Sequence, residues 1–468
     1  MLQGTDSVEV ENLGGLEVST LAIARRVGFL AYPVLVEQAL HYLVGLSDTL
    51  LTGRYLTQDH LAAVTVSTYL LWFLSNIMTI VSVGATAIVA RMIGKKEPEA
   101  ASRICQQAVM MGLILGTITF VVGWISASNV VTLLNLQGTA AREAANFLRI
   151  VLAATPMLAC TAVGVACLRG AGDTRTGMWV MILVNAINVA LSWSFVRGFG
   201  PLPSLGLSGV ALGTAIGEGI GGLVILLILI RGRSGLHLSL QQLRPAWPEI
   251  RRILRISLPA AGESLTNISS QLWFLSLINK LGPTATAAHG VAIRCESLSF
   301  LTIAAFSVPA STLTGQYLGA GRPDLAARAA RMSWALGMAV LSLLGVVIYT
   351  QAGGMFWLFT GGRQPDVTSL GVPVLRVIAF AMPALATINV LPAALRGAGD
   401  TRWPWFFVML GYLGVRIPLT YYLTRPSELG GMGLGLYGAW LAMFADLSVR
   451  ALLVAGRFFQ GGWREARV

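Results

Sequence analysis

The sequence predicts an all-α polytopic membrane protein, with twelve transmembrane helices in two parallel-repeat six-helix bundles around a central cleft. Three observations support this. Of the 468 residues, 55% are hydrophobic and only 12% are charged, apolar stretches recur along the whole chain, and motifs of the first half return in the second. A soluble chain of this length would need far more charge to cover its domains. We therefore do not expect a soluble enzyme.

Apolar stretches long enough to cross a bilayer run from one end of the chain to the other. A spanning helix needs about 20 largely apolar residues. The predicted spans are 27–51, 60–90, 104–127, 143–167, 177–197, 206–230, 253–279, 284–315, 329–350, 368–394, 404–424 and 434–456. An even number of spans places both termini on the same side of the membrane.

The basic residues are divided unequally between the two sides that these spans define. The termini and the even-numbered loops carry 22 of the 33, and the opposite loops carry nine, among them Arg416; Arg294 and Arg450 lie within spans. By the positive-inside rule, both termini are cytoplasmic, which predicts a multi-pass protein of the inner (plasma) membrane. The net charge of +12 is thus an orientation signal, and we expect no nucleic-acid partner.

An internal duplication divides the chain. The seven residues RGAGDTR at 169–175 recur at 396–402, an offset of 227. Other landmarks keep nearly the same offset: Pro33-x3-Glu37 with Pro259-x3-Glu263, and Ile93-Gly94 with Leu318-Gly319. One six-helix unit has therefore been duplicated in parallel, which predicts halves related by an axis along the membrane normal. In RGAGDTR, the glycines predict a turn and the aspartates, Asp173 and Asp400, predict helix caps.

The duplication predicts five segments. These are a cytoplasmic N-terminal tail (1–24), an N-terminal six-helix bundle (25–231), a cytoplasmic connecting loop (232–252), a C-terminal six-helix bundle (253–457) and a cytoplasmic tail (458–468).

Short motifs follow one another in a characteristic order in both halves. They include Pro33-x3-Glu37, Ser47-Asp48-Thr49, Ala90-Arg91-Met92-Ile93-Gly94, Ala287-Ala288-His289, Arg294-Cys295-Glu296 and both RGAGDTR segments. This set, covering about 25–455, resembles MATE (multidrug and toxic compound extrusion) transporters of the bacterial NorM-like type. The resemblance implies two six-helix bundles facing a central cleft. It also implies cation-coupled antiport of amphipathic, often cationic, small organic molecules, with H+ or Na+ as the coupling ion and no other cofactor.

Ionisable groups inside spans are candidates for function, because each costs several kcal/mol unless it is paired or wetted. Acids that occur at equivalent positions of both halves are more easily explained by a shared structural role, for example pairing with Arg294, than by ion coupling. Ion coupling stays open as the alternative for them. We assign a structural role to these intramembrane charges: Glu37, Glu263, Arg294, Glu296, Glu218 and Asp446.

Asp48 breaks the internal symmetry, because its counterpart in the second half is Phe274. It also matches the first-span aspartate that the resemblance links to cation coupling. The alternative is an acid at a helix end that is paired with Arg54 or wetted by the lipid headgroups. We predict that Asp48 belongs to the cation-coupling site.

A polar face in the fifth span supplies partners for Asp48. Asn185, Asn188 and Ser192 are spaced i, i+3 and i+7 and share one helix face. Asn188 and Ser192 resemble the paired polar residues of the family, with serine at the second position where asparagine is common. The alternative is that these side chains only join neighbouring helices.

A substrate cavity needs surfaces that hold aromatic cations. His41 lies two helical turns before Asp48, and we predict that it lines the cavity; a buried structural histidine is the alternative. Aromatic rings attract cations through their faces. The predicted cavity residues are His41, Tyr69, Trp72, Trp273 and Phe274.

A second cation site is not expected in the second half. The sodium-coupled pattern of the family has carboxylates in the seventh and tenth spans. Here Asn267 stands at the position in the seventh span, and span 368–394 contains no acid.

Other functions remain as alternatives. A flippase for a lipid-linked precursor would need buried basic residues for pyrophosphate, and only Arg294 is predicted deep in a span. A membrane-embedded enzyme would need catalytic or metal motifs that we do not find. We therefore predict no enzymatic activity, no metal site, the lipid bilayer and a small amphipathic molecule as partners, and a monomer.

Overall fold

The computed structural model describes residues 19–133, 138–198, 203–239 and 244–466. Within these ranges the chain forms fourteen α-helices and no β-strand. The helices are α1 (Thr20–Tyr55), α2 (Gln58–Gly94), α3 (Pro98–Leu133), α4 (Gly138–Leu152), α5 (Thr155–Ala171), α6 (Arg175–Arg197), α7 (Gly206–Arg231), α8 (Trp247–Asn279), α9 (Pro283–Gly319), α10 (Pro323–Thr360), α11 (Pro365–Ala398), α12 (Arg402–Leu410), α13 (Ile417–Thr424) and α14 (Gly435–Gln460). A π-helical segment, Gly411–Arg416, joins α12 to α13.

The helices confirm the predicted all-α fold. By length and composition, ten helical stretches of the described residues can cross a membrane, and α4 with α5 make an eleventh as a bent pair. The remaining predicted span, 253–279, lies in α8. That helix is long enough to cross, but its N-terminal half carries charged residues.

The predicted fourth span, 143–167, consists of two helices. Helix α4 ends at Leu152, α5 begins at Thr155, and their axes differ by 52°. Pro156 explains the break, because its ring clashes with the carbonyl four residues earlier and it has no N–H to donate. The Thr155 hydroxyl lies 2.7 Å from the Leu152 carbonyl and 3.0 Å from the Gly116 carbonyl of α3. The bend is therefore fixed to a neighbouring helix.

The described chain divides into two compact units. Unit 1 is Met1–Ile253 with Gly319–Arg322, and unit 2 is Leu254–Leu318 with Pro323–Val468. Each has its own apolar core. In unit 1, buried side chains such as Phe147, Leu148 and Val210 pack together. In unit 2 the larger core includes Phe274, Phe356 and Trp440.

The repeated motifs pair with each other inside each unit. In unit 1 the guanidinium of Arg169 lies 2.8 Å from the Glu37 carboxylate. In unit 2 the equivalent Arg396 lies 3.0 Å from Glu263. The expectation that Arg294 pairs with these acids is wrong, since its own side chain is exposed. Each RGAGDTR motif thus ties the end of one helix to the proline-containing first helix of its unit.

The aspartates of RGAGDTR make a second pair of equivalent contacts. Asp173 accepts from the Thr176 backbone N–H at 3.0 Å, which confirms the predicted cap, and pairs with Arg233 at 2.8 Å. Burial raises the pKa of Asp173, but hydrogen bonds from Arg233 and Thr176 outweigh it and hold that pKa below its usual range. Asp400 pairs with Arg457 at 2.8 Å. The motif after α5 therefore contacts the residues just after α7, and the motif after α11 contacts α14.

Candidate functional site

Three helices of unit 1 bring polar side chains together around Asp48. Asp48 of α1 is 6% exposed. The Thr214 hydroxyl of α7 lies 2.9 Å from Asp48 Oδ2, and the Asn188 amide of α6 lies 3.5 Å from Oδ1. The same amide donates to the Thr214 hydroxyl at 2.9 Å. The three side chains form one buried network, which we call the Asp48 network.

Among the described residues, the hydrogen-bond partners of the Asp48 carboxylate are neutral. In the described part of the chain, Asp48 makes no salt bridge with Arg54, whose guanidinium lies 5.9 Å from the centre of the Tyr55 ring. Two hydrogen bonds from neutral donors compensate only part of the cost of burying a carboxylate. Part of the cost of burying this carboxylate therefore stays uncompensated by the described residues.

Glycines allow α6 and α7 to approach closely at this point. A Cβ at Gly213 would overlap the Ser192 side chain, and a Cβ at Gly217 would lie 3.1 Å from the Val184 carbonyl. Small residues at such positions let helix backbones come together in a membrane. This approach places Thr214, which lies between the two glycines, within reach of Asn188.

The predicted polar face of α6 has separate roles along its length. Asn188 contacts Asp48, as described above. Asn185 is buried but donates to the Met181 carbonyl of its own helix at 2.9 Å. Ser192 donates to the Val210 carbonyl of α7 at 3.3 Å. Asn185 therefore does not reach the carboxylate in this structure, and Ser192 joins α6 to α7.

A second acid lies beside the network. Glu218 is four residues after Thr214 and so on the same face of α7. Its charge interacts with that of Asp48, and no cationic partner of Glu218 is recorded in the described part of the chain. The structural role predicted for Glu218 stays a prediction, and the structure adds that its charge is close enough to that of Asp48 to interact with it.

Thr214 was missed by sequence reasoning. The available signal was its position one turn before Glu218 on a glycine-lined helix face. A threonine in an apolar helix commonly bonds the carbonyl four residues back, and Thr214 does approach the Val210 carbonyl at 3.2 Å. Only the helix packing shows that it also reaches Asp48.

The predicted cavity residues are found in different surroundings. His41 has an exposed side chain on α1, one turn after Glu37. Trp273 is half-buried, with its ring centre 5.8 Å from that of Tyr421. Phe274 is 1% exposed and lies in the core of unit 2, so its ring forms no open surface here. The side chains of Tyr69 and Trp72 lie outside the described residues.

Unit 2 contains a buried cluster of charges. Asp446 of α14 lies 2.8 Å from both Arg416 and Arg450, and all three side chains are at most 5% exposed. Arg416 was counted among the basic residues of the outer loops, which is wrong. Glu296 of α9 is also buried, and its charge interacts with that of Arg416. The network expected for Glu296 therefore involves Arg416 and not Arg294.

The prediction that the chain has no metal site stays a prediction. The described residues contain no group of three or more His, Cys, Asp or Glu side chains that could hold a metal ion.

A comparison with known families identifies the chain. The MatE family model matches residues 33–194 and 259–422, one stretch in each half. The chain belongs to the MatE family. The resemblance seen in its motifs is thereby confirmed, and the family is one of membrane transporters.

Relatives and solved structures agree with this assignment. A probable multidrug resistance protein NorM of Thermotoga maritima is 28% identical over 94% of this chain and 93% of its own. The multidrug resistance protein NorM of Burkholderia vietnamiensis is 27% identical over 92% of each chain. The outward-facing structure of a multidrug resistance MATE family transporter has a TM-score of 0.85 at 20% identity, covering 94% of this chain and 97% of its own. This MatE protein therefore shares their fold, including the two-bundle architecture.

Proposed function

We propose that this MatE protein is a cation-coupled antiporter, using H+ or Na+, that exports amphipathic and often cationic small organic molecules. The relatives named as multidrug resistance proteins support the substrate class. The Asp48 network supports the coupling. The lipid-precursor flippase is not preferred, because the two buried arginines of unit 2 both contact Asp446.

The observation that carries the proposal is a pair of carboxylates, Asp48 buried and Glu218 half-buried, that have no counter-cation among the described residues. Asp48 and Glu218 interact with each other in unit 1, and the groups bonded to Asp48 are Thr214 and Asn188. Two negative charges close together in a low-dielectric region repel each other and favour the uptake of a cation. A proton or a sodium ion would relieve that repulsion.

Coupling then follows from competition. If cation binding at Asp48 changes the packing of α1 against α6 and α7, and substrate binds better to the other arrangement, each ligand weakens the binding of the other. This effect is reciprocal by thermodynamic necessity. Inward movement of the cation therefore drives outward movement of the substrate.

The same proposal includes the setting of the protein. Both termini lie in the cytoplasm, the protein resides in the inner membrane as a monomer, and the transported cation is the only ion required. Neither an enzymatic reaction nor a nucleic-acid partner is part of the proposal.

Changing Asp48 to asparagine tests the coupling. In liposomes with imposed proton or sodium gradients, we expect wild-type protein to export a cationic dye under one of the two gradients. Asp48→Asn should lose about 10-fold or more of this gradient-driven rate, because the neutral amide cannot bind a cation as the carboxylate does.

The matched control is Glu428→Gln, which removes an exposed acid between α13 and α14. It should transport at the wild-type rate. Export by Asp48→Asn at the wild-type rate under both gradients would contradict the role of Asp48. An unchanged dye-binding affinity and melting temperature in Asp48→Asn would show that the loss concerns coupling and not folding.

A further inference from the structure

The charge cluster of unit 2 contains arginines, whereas the Asp48 network of unit 1 contains an acid and neutral side chains. We propose that Arg416 and Arg450 act as a built-in cation in unit 2, so that Asp446 and Glu296 never exchange with the coupling ion, which binds in unit 1 alone. This deepens the proposed function and rests on the coupling at Asp48.

The π-helical segment changes which residues of the two halves correspond. At its start the repeat offset is 227, which pairs Asn185 with Tyr412. The segment contains a bond from the Ile417 N–H to the Tyr412 carbonyl, five residues back instead of four. A π turn of this kind accommodates one extra residue. Beyond it the offset becomes 228, so the counterpart of Asn188 is Arg416.

The same shift aligns other residues after the segment. Ser192 then corresponds to Thr420, and both are fully buried. Glu218 corresponds to Asp446 at this offset. In unit 1, Asn188 donates to Asp48; in unit 2, the Arg416 guanidinium lies 5.7 Å from the centre of the Phe274 ring. A carboxylate and an amide in one unit are thus replaced by an aromatic ring and a fixed positive charge in the other.

The cluster is balanced internally. The guanidinium groups of Arg416 and Arg450 contact Asp446 Oδ2, and Arg416 also interacts with Glu296. Two positive and two negative charges therefore lie together. In unit 1, Asp48 and Glu218 have no recorded cation beside them in the described residues. Only unit 1 needs a cation from solution to neutralise its acids.

The surroundings of the cluster leave little room for an additional ion. The guanidinium groups of Arg416 and Arg450 each lie 4.7 Å from the centre of the Tyr412 ring. Its hydroxyl donates to Asn267 at 2.9 Å. Asp446 Oδ1 accepts no hydrogen bond from the described residues, but the backbone of Gly411 packs against it, since a Cβ there would overlap this oxygen.

His289 is a titratable residue that packs between aromatic rings near the cluster. His289 is 6% exposed, with its ring 5.8 Å from that of Phe274 and 5.5 Å from that of Trp440. Among the described residues, no carboxylate bonds to its ring nitrogen Nδ1. The charges that face Asp446 are therefore those of Arg416 and Arg450, with Glu296 next to Arg416.

The number of coupling cations moved per substrate tests the proposal. This ratio is obtained from the cation gradient that just balances an opposing substrate gradient in liposomes. The double variant Asp446→Asn/Arg450→Met removes one charge of each sign and keeps the cluster balanced through Arg416 and Glu296. We expect its ratio to equal that of wild type. A lower ratio would overturn the proposal, since Asp446 would then be an exchanging site.

A second variant gives an independent readout. Arg416→Met/Arg450→Met leaves Asp446 and Glu296 without their cations, so they should take one from solution and raise the ratio by about one cation per substrate. An unchanged ratio in this variant would also overturn the proposal. Arg450→Lys keeps the charge and should behave as wild type.

The outcome separates this inference from the proposed function. A wild-type export rate that depends on neither the proton gradient nor the sodium gradient would refute the coupling itself. Wild-type coupling that Asp48→Asn abolishes, together with a lowered ratio in Asp446→Asn/Arg450→Met, would refute only the inference about unit 2.

Discussion

At the scale of single residues, the Asp48 network shows how a few neutral contacts set the affinity for a cation. Thr214 is central, because its hydroxyl touches Asp48 Oδ2 and also accepts from Asn188. A hydrogen bond to a charged group contributes about 1.5–3 kcal/mol. Removing the hydroxyl should therefore change cation affinity measurably without changing the charge of the site.

Thr214→Val tests this contribution, with Thr214→Ser as the control that keeps the hydroxyl. If the coupling ion is sodium, the variant loses an oxygen ligand, and the sodium concentration for half-maximal transport should rise about 10-fold. If the ion is a proton, the carboxylate loses a hydrogen bond that favours its charged form, and the midpoint should move to more alkaline pH. The serine variant should match wild type. A wild-type midpoint in Thr214→Val would refute the contact with Asp48.

At the scale of helices, the two halves use similar elements differently. Helix α6 is α-helical throughout, and its counterpart is interrupted by the π-helical segment between α12 and α13. Within the segment Arg416 is buried, whereas Leu413 and Gly414 are exposed. The extra residue of a π turn is an insertion on the outer face, so the buried faces on either side keep their orientation.

A one-residue deletion in each helix tests this reading. Deleting Gly414 should restore an ordinary α-helix, keep Tyr412 and Arg416 on the buried face, and leave the melting temperature close to that of wild type. Deleting Ala186, an exposed residue between Asn185 and Asn188, should rotate Asn188 by about 100° away from Asp48 and abolish gradient-driven transport. Equal loss of folding in both deletions would show that the π turn is not such an insertion.

At the scale of the whole molecule, the apolar composition and the duplicated motifs were sufficient to predict the fold. They also predicted that Asp48 and Asn188 would be candidates, because both stand out as polar residues that the second half does not repeat. The sequence did not reveal Thr214 or the Arg416 cluster. Those depend on side chains from distant helices meeting, and on a π turn that leaves no mark in hydrophobic periodicity. Arg416 was counted with the outer loops although it lies inside the predicted span 404–424, so its burial in the membrane was missed.

The orientation of the molecule is the remaining whole-chain prediction, and its cysteines make it easy to measure. All four native cysteines are buried and free, so an added cysteine reports on its own position. Glu97→Cys lies between α2 and α3, on the predicted cytoplasmic side, and Glu428→Cys lies between α13 and α14, on the opposite side; both positions are exposed. A membrane-impermeant maleimide should label Glu428→Cys in intact cells and Glu97→Cys only after the membrane is opened. The excess of basic residues on the Glu97 side makes its translocation unfavourable, so the reverse labelling pattern would contradict both the orientation and the charge rule from which it was predicted.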